Sequence, residues 1–259
     1  MKIWTEQDCA KYLPRPKETD HKYKRGVLCA ITGSSKYPGA ALLSTESALN
    51  IGIGMVRYIG PRQVKKLVIQ NRPEIVLARG KFDALLMGCG ISGGFQRARM
   101  RRMISSKVPK ILDAGALDLV SRSGSLTIIT PHSGELSKLL NCSTRQIEDD
   151  PEGYAAKAAA QFKVTVLLKG HETVISNSKE LIRLPAASSY LATAGTGDVL
   201  AGIIGGLLAL NRSSITELNL IEIAATAAFI HGKIAELDQP LSPSKMIDFL
   251  PSVIARLSK

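Results

Sequence analysis

The chain is predicted to be an α/β protein, a mostly parallel sheet covered by helices on both faces. Three observations predict this. Short, wholly apolar runs such as VLCAI (Val27–Ile31) and VTVLL (Val164–Leu168) alternate with segments of helical period. Runs without a polar face need cover on both sides, which is how parallel sheets are built. Glycines and polar side chains collect directly after these runs, beyond the strand carboxyl ends where such sheets bind ligands. At 259 residues and 45% hydrophobic, the chain can bury a large core. No linker, internal repeat or low-complexity tract divides it, so residues 1–259 are read as a single domain.

Residues 1–26 are read as a polar lead-in; Leu13–Gly26 is polar and contains proline. Val27–Ile31 is a buried strand. Pro38–Ile53 is a helix with Pro38 near its first turn, and its many small residues suit close packing, either within the core or against a neighbouring chain. Met55–Ile59 and Glu74–Ala78 have strand composition. Ala84–Met87, Lys110–Leu112, Leu126–Thr130 and Val164–Leu168 read as further buried strands. A short helix starts near Leu136–Leu140. Thr173–Ser176 and Glu180–Leu184 flank Asn177-Ser178-Lys179, a hairpin signature. Helices close the chain at Val199–Leu210, Thr216–Leu237 and Ser244–Leu257. The apolar run Val199–Leu210 is too short for a membrane span.

The net charge is +12. The densest basic cluster is Arg97, Arg99, Arg101 and Arg102, followed by Lys107 and Lys110. Nucleic-acid binding is not expected, because aromatics make up 5% of the chain and none are interleaved in the cluster. A solvated helix face is the simple reading, and attraction of a polyanionic small molecule is a second use of the same field. The start of the chain has no apolar signal-peptide core. Cys9, Cys29, Cys89 and Cys142 form no close pair, so a reduced, cytoplasmic setting is expected.

The sharpest feature is Ala192–Asp198 (ATAGTGD) running into the apolar segment from Val199. The first N–H groups of a helix lack internal partners and sit at its positive end, a ready anion site. Gly195 and Gly197 would let a phosphate approach the backbone, with Thr196 between them. Asp198 is either the N-cap or a general base acting on a hydroxyl while the amides hold a transferring phosphoryl group. In PHSGE, His132 and Glu135 stand three apart where a strand gives way to a helix. His132 could bond a substrate, and Glu135 could support a hydrated Mg²⁺. Lys169-Gly170 after a buried strand, with Thr173 beyond, could meet nucleotide phosphates or ribose. The turns Thr32–Ala40 and Gly88–Gly90 either offer amides to a ligand or are simple tight turns. His231 reads as a core histidine.

These motifs, in their order and spacing from about Leu13 to Lys233, resemble the ADP- or ATP-dependent NAD(P)H-hydrate dehydratases of the stand-alone bacterial type, which lack the epimerase domain. The stretches that carry the resemblance are GSSKYPGAALLSTESALNIGIGMVRY, DALLMGCG, ILDAGALDL, TPHSGELSKLL, VLLKGHETVI, LATAGTGDVLAGIIGGLLA and AAFIHG. The resemblance implies a ribokinase-like three-layer αβα sandwich. It implies conversion of the (6S) hydrate of NADH or NADPH to NADH or NADPH, with ADP (or ATP) as phosphoryl donor, Mg²⁺ as cofactor, and AMP and phosphate as products from ADP. By motif match, Ala40, Gly90, His132 and Asp198 would contact the hydrate. Lys169, Gly170, His171, Glu172, Thr173 and Gly197 would line the nucleotide. Glu135 would stand where an acid supports Mg²⁺, and Gly195, Thr196, Gly197 and Asp198 would form the catalytic loop. A homo-oligomer, a tetramer, is expected on the same ground. The chain departs from the family pattern at Gly115, Ser133 and Ser188, where Asp, Pro and Asn are usual. The alternatives are a ribokinase-like kinase for a vitamin precursor and a nucleotide-binding homologue that has lost its chemistry.

Overall fold

A computed structural model describes residues 2–236 and 240–258. Strands β1 (Lys2–Ile3), β2 (Val27–Ile31), β3 (Met55–Tyr58), β4 (Ala84–Met87), β5 (Lys110–Leu112), β6 (Thr127–Ile129), β7 (Thr165–Leu168), β8 (Val174–Ser176) and β9 (Leu181–Arg183) join in one sheet. Their order is β1-β9-β8-β7-β6-β5-β4-β2-β3. The run from β3 to β7 is parallel, and β7-β8-β9 is an antiparallel meander that includes the predicted hairpin.

Alternate residues of each apolar strand enter different cores, because strand side chains point to opposite faces. Leu28 and Ala30 join the first core with Ala84 and Leu86, whereas Cys29 and Ile31 join the second with Leu85 and Met87. The first core is covered by α1 (Glu6–Cys9), α2 (Gly39–Asn50) and α3 (Arg62–Asn71), and by α8 (Thr196–Leu210), α9 (Leu220–Ala235) and α10 (Pro243–Leu257). The second lies under α4 (Gly94–Met103), α5 (Ser133–Leu140), α6 (Thr144–Asp149) and α7 (Pro151–Phe162). Helices on both faces of a mostly parallel sheet are the predicted architecture. No helix among the described residues is long and apolar enough to cross a membrane.

Four elements differ from the sequence reading. Glu74–Ala78 is not a strand: Val76 makes one parallel bridge with Arg57. The Arg57 side chain then takes the Ala78 and Lys81 carbonyls at 2.9 and 3.1 Å, so a side chain replaces the ladder. The lead-in is partly core. β1 adds a parallel edge to β9, and Trp4, Cys9, Tyr12 and Leu13 are buried. The basic cluster is not one solvated face, since Arg97 pairs with Asp118 and Lys110 is buried, its ammonium on the Ser123 carbonyl at 2.9 Å. Helix α9 begins at Leu220, after a turn in which the Thr216 N–H donates to Asn219 Oδ1 at 2.9 Å. Its predicted end at Leu237 lies outside the described residues.

The small residues of α2 serve the core. An added Cβ at Gly202 of α8 would lie 2.3 Å from the Ser44 carbonyl oxygen and 2.2 Å from Ser47 Oγ. The two helix backbones touch, and α8 is held close to α2. A Gly202→Val substitution should therefore act by overpacking and cost at least about 1–3 kcal/mol. Urea unfolding should show a lower midpoint at unchanged slope; an unshifted midpoint would mean that the helices separate freely.

Candidate active site

The predicted residues converge at the carboxyl ends of β4, β5, β6 and β7. Helix α8 starts at Thr196, three residues earlier than its apolar run suggested. Gly195 takes the N-cap place with φ of +101°, in the left-handed region that glycine enters without Cβ strain. Asp198 is therefore the third residue of the helix, and its side chain makes no capping bond. The N-cap alternative for Asp198 is excluded. The Thr196 N–H is bonded to the Thr193 carbonyl at 3.3 Å, while those of Gly197 and Asp198 carry no hydrogen bond among the described residues. Of the amides of the predicted catalytic loop only that of Thr196 is engaged, and those of Gly195, Gly197 and Asp198 are free among the described residues. His231 Nε2 lies 3.0 Å from the Thr196 carbonyl and steadies this end of the helix.

Asp198 faces a second carboxylate. The Cys89 Sγ and the carboxylates of Asp113 and Asp198 lie within 4.8 Å of one another. Asp113 follows β5, accepts from Thr130 Oγ1 at 2.8 Å, and pairs with Lys169 Nζ at 3.1 Å. Lys169 also reaches Glu135 at 3.9 Å. Burial opposes its charge, but Asp113 and Glu135 outweigh that and hold its pKa above the ordinary value. A Cβ on Gly197 would stand 3.6 Å from Lys169 Nζ, so the ammonium flanks the helix mouth. Burial first, and then Asp113, push Asp198 up to about 6, against the pull of Lys169 and a contact with the Cys89 thiol. The Cys89 thiol is itself driven well up by burial and by both acids, and stays protonated.

His132 and Glu135 form a capping box at the start of α5. The His132 N–H donates to Glu135 Oε2 at 2.9 Å, and His132 Nδ1 accepts from the Gly134 N–H at 3.0 Å. Nε2 thus keeps the proton in the neutral ring. The ring is largely exposed, with Nε2 3.5 Å from Glu135 Oε2. Ala40 and Gly90 meet across the neighbouring turns; a Cβ on Gly90 would sit 2.5 Å from that of Ala40. Gly170, His171 and Glu172 are exposed and follow Lys169 outward toward half-buried Thr173, and the Glu172 carboxylate is bound to Arg183 at 3.0 Å.

The structure thus brings together His132, Glu135, Lys169, Gly197 and Asp198, while His171, Glu172 and Thr173 form an outer arm. Sequence reasoning assigned no site role to Asp113 or Cys89. The Asp-Ala-Gly turn after β5 was the available signal for Asp113. Nothing in spacing could show that it faces Asp198.

Comparison with known proteins bears on this site. A family model described as NAD(P)H-hydrate dehydratase matches residues 28–243. A bifunctional NAD(P)H-hydrate repair enzyme of Mycobacterium leprae is 36% identical over 96% of this chain and 55% of its own length. An ADP-dependent (S)-NAD(P)H-hydrate dehydratase of Neisseria meningitidis is 33% identical over 85% of this chain and 79% of its own. The crystal structure of the ADP/ATP-dependent NAD(P)H-hydrate dehydratase of Bacillus subtilis, co-crystallised with ATP/Mg²⁺, superposes with a TM-score of 0.86 at 27% identity over 98% of both chains. The chain spans about half the length of several curated relatives it matches, 55% for the Mycobacterium leprae protein. The fold is the ribokinase-like αβα sandwich.

The raised Asp198 carboxyl has a consequence for stability. Its folded value of about 6 exceeds the ordinary 3.8. The folded state therefore binds more protons than the unfolded state between these values, and stability falls as pH rises through that window. Asp198→Asn should match the wild type in Tm near pH 4 and exceed it increasingly toward pH 7. Parallel Tm curves across the range would contradict the burial of this charge.

Proposed function

The chain belongs to the NAD(P)H-hydrate dehydratase family, and on that premise we propose that it is an ADP-dependent (S)-NAD(P)H-hydrate dehydratase, with ATP able to replace ADP. The observation that carries the reading is Asp198: a half-buried carboxylate beside two free helix amides and an ammonium. A site meant only to bind phosphate would gain nothing from an acid at its mouth. A pKa of about 6 suits a base near neutral pH.

In this reading the C6 hydroxyl of the hydrate gives its proton to Asp198 as its oxygen bonds to the terminal phosphorus of ADP. The bond to the bridging oxygen breaks, and AMP leaves. Charge on the phosphoryl oxygens is met by the Gly197 and Asp198 amides and by Lys169. Phosphate then leaves C6 as a neighbouring ring proton is lost, which completes the dehydration to NADH or NADPH. His132, whose ring is largely exposed, and the Ala40–Gly90 contact hold the nicotinamide end. Gly170, His171, Glu172 and Thr173 border the nucleotide.

Glu135 fits a water-mediated role toward Mg²⁺. One carboxylate oxygen is fixed by the His132 N–H, and the side chain is partly exposed, which suits an ion that keeps most of its waters. Such an ion would supply charge neutralisation for the phosphates. The same reading makes the chain a cytoplasmic homotetramer that acts on small molecules and not on nucleic acid. The small-residue face of α2 lies against α8 and is not available to a neighbouring chain.

With Mg²⁺, ADP and (S)-NADH hydrate, the protein should restore NADH absorbance and release AMP and phosphate. Asp198→Asn should lower kcat about 10²–10⁴-fold with ADP binding retained. His132→Ala should chiefly raise KM. Gly197→Ala should fold, since its methyl meets only ordinary contacts, yet bind ADP more weakly. Wild-type kcat in Asp198→Asn would overturn the assignment of the base.

A further inference from the structure

The arginines of the basic cluster separate in the fold. Arg97 is paired with Asp118, but Arg99 and Arg102 of α4 turn toward Arg57 of β3 and Arg79 of the loop between α3 and β4. These four line one cavity of about 370 Å³ at the β3 edge of the sheet. Its floor is apolar, from Ile59, Phe82 and Met103, and no acidic residue lines it. The cavity shares no residue with the Asp198 site.

None of the four has a carboxylate partner among the described residues; the arginine ion pairs belong to Arg72, Arg97, Arg145, Arg183, Arg212 and Arg256. Arg57 is fixed in the wall by the Ala78 and Lys81 carbonyls, and Gly80 makes room for it, since a Cβ there would lie 2.6 Å from the guanidinium carbon. Arg99 is steadied by Gln96 Oε1 at 2.7 Å. Four guanidiniums gathered without an acid repel one another, and a bound anion relieves that repulsion. Guanidinium forks match phosphate, and their flat faces stack on rings. The volume falls within the range of small-molecule pockets, and a concave apolar floor does not suit the backbone of a nucleic acid.

We propose that this cavity is a second anion site, which takes a phosphorylated ring compound of the mononucleotide class with its ring on Phe82 and Met103 and its phosphate among the arginines. The test is equilibrium dialysis of the full chain against labelled AMP, with adenosine as the phosphate-free control. Arg79 and Arg102 are exposed, so Arg79→Glu with Arg102→Glu should leave the fold intact, as circular dichroism would check. The double variant should bind one AMP fewer per chain than the wild type, whatever the number held at the Asp198 site. Arg102→Ala alone should weaken that same site at least tenfold, and adenosine should not fill it. Equal AMP stoichiometry in wild type and double variant, or equal filling by adenosine, would overturn the proposal.

Discussion

Much of this structure depends on how closely α8 can lie against α2 and the sheet. Contact between helix backbones needs the absence of side chains at Gly202 and Gly206. Once α8 is seated there, its first turn stands at the carboxyl ends of β5 and β7. Asp198 is thereby carried to Asp113, and the Gly197 amide to Lys169. A buried helix of this kind cannot shift without opening the first core, so the mouth of α8 is a rigid fixture. His231 on α9 holds the same mouth from behind. Burial keeps its imidazole neutral by pushing it down to about 4, so it bonds the Thr196 carbonyl without adding charge at the start of α8.

The electrostatics of the site follow from that placement. Two carboxylates and one ammonium share a half-enclosed space. Lys169 lies with Asp113 rather than with Asp198, so Asp198 meets a second acid that is already partnered. One acid is thus free to exchange a proton while the other keeps the lysine charged and oriented. The strongly basic balance of the whole chain complements this arrangement, because it draws polyanions toward a site that contains acids.

The three departures from the family pattern each have a physical account. Ser133 occupies the first position of α5, where proline is favoured but its missing N–H has no consequence, so serine can replace it. Ser188 caps the short 3-10 turn Ser189–Leu191 through Oγ, a task that asparagine also performs. Gly115 differs in kind. A Cβ there would fall 1.7 Å from the Ile91 carbonyl oxygen. The turn after β4 has closed onto the turn after β5, and an acid at this position would need that loop to move. The missing charge and the tight packing are one feature.

The layered α/β architecture, most of the strands and the glycine-led start of a buried helix were legible in the sequence. They rest on local rules: apolar runs that need cover on both faces, glycine before a helix, hairpin punctuation. His132, Glu135 and Lys169 could be picked out because each comes soon after a strand, and Gly197 and Asp198 because glycines precede an apolar helix. What tertiary structure alone decided is which of them meet. The start of α8 at Thr196, which makes Asp198 the third residue of the helix and not a cap, depends on Gly195 turning left-handed against Leu43 and Pro243. The pairing of Asp113 with Lys169 joins residues 56 positions apart. The convergence of Arg57, Arg79, Arg99 and Arg102 spans three segments. Sequence patterns report the faces and ends of single elements, whereas charges act through space, and only the packing of distant segments sets those distances.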